Sequence, residues 1–149
     1  MDEHVTAQGG SLDDATRRLL GEVRRALLRL HKLLLDEERE RYEQAHGRVT
    51  SGAMLQLVIS HEQFAWLRSL SELIVRIDEL LDAEEAVAQD ARDLLAYTRR
   101  LLTPSASDDS FARQYGAALQ REPGVVLAHR DVTRLLPRPE ATIDEERRV

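Results

Sequence analysis

The chain has 149 residues, a net charge of −6, 42% hydrophobic and 32% charged content, and only 7 glycines and 4 prolines. That is enough apolar material for one domain with a real core, and the scarcity of chain-breaking and β-branched residues favours helices. The lack of cysteine excludes disulfides, cysteine-held zinc, iron–sulfur clusters and cysteine nucleophiles, and the acidic balance argues against nonspecific nucleic-acid binding.

Residues 1–10 are polar, end in Gly9-Gly10 and read as a flexible lead-in. The acidic opening Met1-Asp2-Glu3-His4 does not have the pattern of a signal peptide. Ser11 followed by Leu12-Asp13-Asp14 predicts a helix start, with Ser11 as the N-cap. Helical periodicity then continues to about His46, where Gly47 supplies a C′ stop. Leu19, Val23, Ala26, Leu30 and Leu33 form one seam, widened by Leu20, Leu27 and Leu34. At 1.5 Å per residue such a helix is ~50 Å long, more than a compact domain of this size needs, so its end is expected to project or to meet another chain.

Ser51 can cap a second helix running to about Ser60. Its Met54, Leu55, Leu57, Val58 and Ile59 are apolar nearly all round, which predicts burial. A third helix is expected from about Phe64, with the stripe Trp66, Leu70, Leu73, Ile77, Leu80. Asp82 is the expected cap of a fourth, from about Ala83 to Leu102, ended by Pro104. A fifth starts at Asp108 or Asp109 and ends at Glu122-Pro123-Gly124, and a sixth runs from Val125 to about Leu136. Pro137 and Pro139 then open a charged tail, residues 137–149. The prediction is an all-α single domain over residues 11–136: an antiparallel bundle of five or six helices, with the first, third and fourth forming the core and the last two packed across it.

Phe64-Ala65-Trp66-Leu67-Arg68-Ser69-Leu70-Ser71, together with Glu122-Pro123-Gly124-Val125-Val126-Leu127-Ala128-His129, resembles a group of short, mostly proteobacterial, uncharacterised helical proteins. The resemblance spans about residues 12–136. It implies a bacterial source, in keeping with 20 arginines against the single Lys32, and it assigns no catalytic residue.

No catalytic, cofactor or metal residue is assigned from the sequence. Glu43 and His46 have the Glu-x-x-His spacing of carboxylate-bridged metal bundles, but a second such motif is lacking. No serine lies in a nucleophile-elbow context, and no glycine-rich phosphate loop occurs. Acid pairs such as Glu37-Glu38 read as neighbours on a solvated face. His31 and His129 fall on apolar stripes and could form one proton-responsive pair if their helices pack together. With Phe64 and Trp66 they are the candidate walls of a ligand pocket.

Charge patterning is more informative. Across residues 17–32 of the long helix, Arg17, Arg18, Arg24, Arg25, Arg29 and Lys32 stand against a single acid, Glu22. Asp36, Glu37, Glu38, Glu40 and Glu43 outnumber two arginines in the second half. A helix that reverses sign half-way matches itself laid antiparallel, and two-fold dimers are the commonest oligomers. A second basic feature, Arg130 and Arg134, lies one turn apart on the last helix. The expected function is therefore non-enzymatic: a cytoplasmic bacterial interaction or regulatory protein acting through helix surfaces as a homodimer. The alternative is a small-molecule-binding bundle with a pocket near Trp66, and the third reading is DNA binding through the last helix. No membrane association and no cofactor are expected.

Overall fold

The computed structural model describes residues 10–138, which fold into six α-helices in one all-α domain. The helices are α1 (Asp14–His46), α2 (Ser51–Ser60), α3 (Arg68–Asp82), α4 (Ala88–Leu101), α5 (Ser110–Arg121) and α6 (Pro123–Leu135). Two 3-10 segments, Glu62–Leu67 and Pro104–Ala106, lead into α3 and follow α4.

Local chemistry sets the boundaries. α1 is capped by Asp13, whose carboxylate accepts the Thr16 N–H at 2.7 Å. Ser11, the expected cap, instead makes an isolated antiparallel bridge with Val87. Gly10 and Leu12 bond to Ala88 and Ala86 (Ala88 N–H to Gly10 O 2.7 Å, Leu12 N–H to Ala86 O 3.3 Å), and Leu12 is buried. The end of the lead-in is thus tied to the loop before α4. Gly47 stops α1 as expected, at φ +90, with its N–H on Glu43 O at 2.8 Å. That φ is open to glycine and strained for any side chain.

Four other boundaries shift. Thr50, not Ser51, caps α2 by accepting the Ala53 N–H at 3.1 Å. The Phe64–Trp66 stretch is a 3-10 segment, so α3 begins at Arg68. Asp82 does not cap α4, which starts six residues later at Ala88 because residues 83–87 are occupied by the loop that meets the lead-in. Pro123 opens α6 rather than closing α5, since proline's missing N–H costs nothing in a helix's first turn.

The core lies around the first 25 residues of α1, which bury Leu20, Val23, Ala26, Leu27, Leu30 and Leu34. Each fully buried leucine contributes ~1.5–3 kcal/mol over its exposed state. α1 packs most extensively on α3 and α6, whereas α4 leans on α3 and meets α1 less. The last helix is therefore a principal partner of α1, and α4 is the more peripheral one. Phe64, Trp66 and Leu67 are buried where the 3-10 segment meets α1 and α5. Beyond Glu38 no residue of α1 is fully buried, and in its last two turns only Tyr42 among the hydrophobic residues packs, partly buried, against the core. At the other end of the chain, Arg99 donates to the carbonyls of Leu136 and Pro137, each at 3.0 Å, which ties down the first residue of the expected tail. The remainder of both flanking segments, residues 1–9 and 139–149, lies outside the described residues.

Candidate interaction surfaces

The two glutamates expected on a solvated face are buried. Glu38 is 2% exposed and accepts from Trp66 Nε1 at 3.1 Å and from Gln63 Nε2 at 2.9 Å, with Arg41 Nη1 at 3.6 Å. Glu37 takes a bidentate contact from Arg121 on α5, Nε at 2.8 Å and Nη2 at 3.2 Å. The hydrogen bonds that Arg121 donates to Glu37 raise its pKa further above its usual high value. A buried carboxylate is tolerable only when its oxygens are satisfied, and both glutamates obtain their donors within the chain. This corrects the charge-matched antiparallel dimer: Glu37 and Glu38 are not available to a neighbour's arginines.

The basic half of α1 divides in two. Arg17 donates to Leu81 O at 3.1 Å and Arg24 pairs with Asp78, so both serve the α1–α3 contact. Lys32 pairs with Asp36 one turn on, at 3.0 Å. Arg18, Arg25 and Arg29 are exposed and form no ion pair among the described residues.

The candidate ligand pocket is not formed by its four expected residues. Phe64 is 1% exposed and lies against Tyr42 and His61. Trp66 meets Phe111 in a tilted contact at 5.6 Å, Phe111 stacks on Tyr115 at 5.3 Å, and Tyr115 meets His129 at 5.7 Å. The Tyr115 hydroxyl and His129 Nδ1 share a hydrogen bond of 2.7 Å. Trp66 and His129 are thus linked, but by a packed aromatic row instead of a cavity. The depression beside Trp66 is open, about 300 Å³, and lined by Ala65, Ser69, Asp109, Ser110 and Phe111. His31 and His129 are half-buried, and burial lowers the pKa of each. Their helices do pack together, yet no hydrogen bond or ring contact joins the two among the described residues, so the expected proton-responsive pair is not formed.

Glu43 and His46 have local duties. Glu43 accepts the Val49 N–H at 3.0 Å and Arg39 Nε at 3.3 Å, fixing the turn after α1, and the Val49 bond holds its carboxyl below the usual range. His46 packs on the Tyr42 ring, centroids 4.3 Å apart. Among the described residues, no group of three or more histidines and carboxylates is placed to hold a metal ion.

Three surfaces remain without an internal role. The first is α2, where Met54 is buried but Leu55 and Ile59 are each 59% exposed, and Leu57 and Val58 are half-buried. The second is a groove of about 450 Å³ between α1 and α6, where Arg25 and Arg29 face Arg134, with Glu22, Asp131 and Leu135 completing it. The two basic features of the sequence therefore meet on one surface, with Arg130 exposed one turn before Arg134. The third is a groove of about 330 Å³ between α3 and α4, bearing Glu79, Asp90 and Asp93 against Arg76. No sequence signal singled out this acidic groove, because its residues come from two helices and look like ordinary solvated charge.

No helix among the described residues is long and apolar enough to cross a membrane. No family model, curated protein or solved structure matches the chain.

Proposed function

We propose that this chain is a non-enzymatic interaction protein that works through helix surfaces and self-associates as a homodimer, with α2 as the docking element. The observation that carries this reading is the exposure of α2. The helix has no charged residue, is apolar nearly all round, and leaves Leu55 and Ile59 in solvent. A helix of that composition is normally buried, and exposed apolar surface of this kind marks a contact site.

A second copy is the favoured occupant. A chain of net charge −6 repels its own copies over most of its surface, and an uncharged helix is where two copies can approach without opposing charges. A two-fold contact needs only a patch compatible with itself. A cytoplasmic setting fits a chain without cysteine. The aromatic depression beside Trp66 gives less support to ligand binding, because it is open and the indole N–H is already engaged by Glu38.

Sedimentation equilibrium tests the reading. The wild type should be dimeric at tens of micromolar, and this dimer should persist at high salt, where charge contacts are screened. Leu55→Asp with Ile59→Asp should be monomeric with an unchanged helical spectrum. A monomeric wild type, or a dimer indifferent to both substitutions, would overturn it.

A further inference from the structure

The two charged grooves bear on how copies of this chain meet. Arg25 and Arg29 are one turn apart on α1, as Arg130 and Arg134 are on α6. Like charges at that spacing destabilise the helix that carries them. Within the fold these side chains gain nothing in return: Arg25, Arg29 and Arg134 line the groove and make no ion pair among the described residues. Guanidinium groups in such an array fit carboxylates, which they bind through paired N–H donors.

The complementary surface is on the same molecule. Glu79 on α3 and Asp90 and Asp93 on α4 border the second groove, and Asp90 and Asp93 are exposed. Arg76, the one base there, is drawn over the Tyr97 ring, 5.6 Å from its centroid. Asp93 accepts from Gln89 Nε2 at 2.8 Å, and neither Glu79 nor Asp90 is in an ion pair among the described residues. The grooves belong to different helix pairs, α1 with α6 and α3 with α4, so one chain can use both at once.

We infer that the Arg25–Arg29–Arg134 groove of one copy docks the acidic Glu79–Asp90–Asp93 rim of a second copy, giving a head-to-tail contact separate from the α2 face. A nucleic acid is a poorer occupant, because Glu22 and Asp131 stand in the basic groove and the whole chain is acidic. A head-to-tail contact leaves one groove open at each end, so it closes into a ring or extends. Exposed ion pairs are individually weak and screened by salt, so the contact is concentration-dependent and dissolves at high ionic strength.

Sedimentation velocity separates this contact from the α2 dimer. At about 20 mM salt the wild type should form species larger than those seen at about 500 mM, where the Debye length falls to only a few ångströms. Arg25→Glu with Arg29→Glu and Arg134→Glu should weaken this association at least tenfold, and so should Asp90→Arg with Asp93→Arg. An equimolar mixture of the two variants should restore it, because each then offers a groove matched to the other's rim. All five positions are exposed, and unchanged urea midpoints would confirm intact folds. Combining Leu55→Asp and Ile59→Asp with otherwise native grooves should keep the salt-sensitive species even if the salt-insensitive dimer is lost. Absence of salt-sensitive association, association untouched by either set of reversals, or a mixture that fails to restore it would each overturn the inference.

Discussion

Trp66 donates its indole N–H to the buried carboxylate of Glu38 at 3.1 Å, and this bond joins the 3-10 segment to the C-terminal part of α1. The ring fills space against Phe111 while its polar edge satisfies a carboxylate that would otherwise be stranded. Packing and hydrogen bonding can be separated by substitution. Trp66→Ala should cost ~3–5 kcal/mol, as large aromatic truncations do. Trp66→Phe retains most of the apolar contact and leaves Glu38 one donor short, so it should cost ~1–3 kcal/mol. Urea midpoints for the two variants would order them, and equal midpoints would show that the hydrogen bond contributes nothing.

The Glu37–Arg121 pair ties α1 to α5 across 84 residues of sequence. Glu37 is 9% exposed but Arg121 is partly solvated, so the loss on Arg121→Ala should be moderated by water, at ~1–3 kcal/mol. Glu37→Arg should be worse, because it places a second cation beside Arg121 at a position that is itself only 9% exposed. Thermal unfolding of both variants checks the order, and a Glu37→Arg protein as stable as the wild type would mean that the carboxylate is dispensable.

These two glutamates also mark where sequence reading stops. The helices themselves were legible: most of the α1 seam, the α3 stripe, the Gly47 stop and the Pro104 break act as their chemistry dictates, although Leu33, read as part of the α1 seam, is 40% exposed. Boundaries failed where a tertiary contact competed with a local signal, as when pairing of residues 10–12 with the 86–88 loop delayed both α1 and α4. Glu37 and Glu38 look like surface acids because nothing local distinguishes a solvated glutamate from one whose donors come from residues 63, 66 and 121. The convergence of Arg25 and Arg29 with Arg134 was equally hidden, since it depends on α6 packing against α1.

Half-burial of His31 and His129 gives stability a pH dependence. Burial lowers both pKa values below the unfolded reference of about 6.5, so the unfolded chain binds protons first as pH falls. Stability should be complete above that reference and decline as pH drops through the lowered folded values. Tyr115 acts at the other end: burial raises its phenol, so the folded protein should lose stability as pH rises past about 10, where the unfolded tyrosine ionises. Urea midpoints between pH 7.5 and 5 would test the acid limb. His129→Asn should flatten that limb in part, with His31 accounting for the remainder.

Within α2, neighbouring apolar residues should behave in opposite ways. Met54 is 8% exposed and belongs to the core, while Leu55, next in sequence, is 59% exposed. Met54→Ala removes buried contacts and should lower the urea midpoint, at a cost of ~2–5 kcal/mol for a fully packed site and toward the lower end here, where α2 rests mainly on the 3-10 segment. Leu55→Ala removes no internal packing of comparable size, so the stability of the isolated chain should stay within ~0.5 kcal/mol. In the proposed dimer the order should reverse, because Leu55 would face the second copy while Met54 is buried within its own chain. Urea midpoints measured over a hundredfold range of protein concentration distinguish the effects. A dimer's midpoint rises with concentration by mass action, and Leu55→Ala should reduce that slope while Met54→Ala lowers the whole curve. A wild-type midpoint that does not change with concentration would leave α2 exposed without a second copy to cover it.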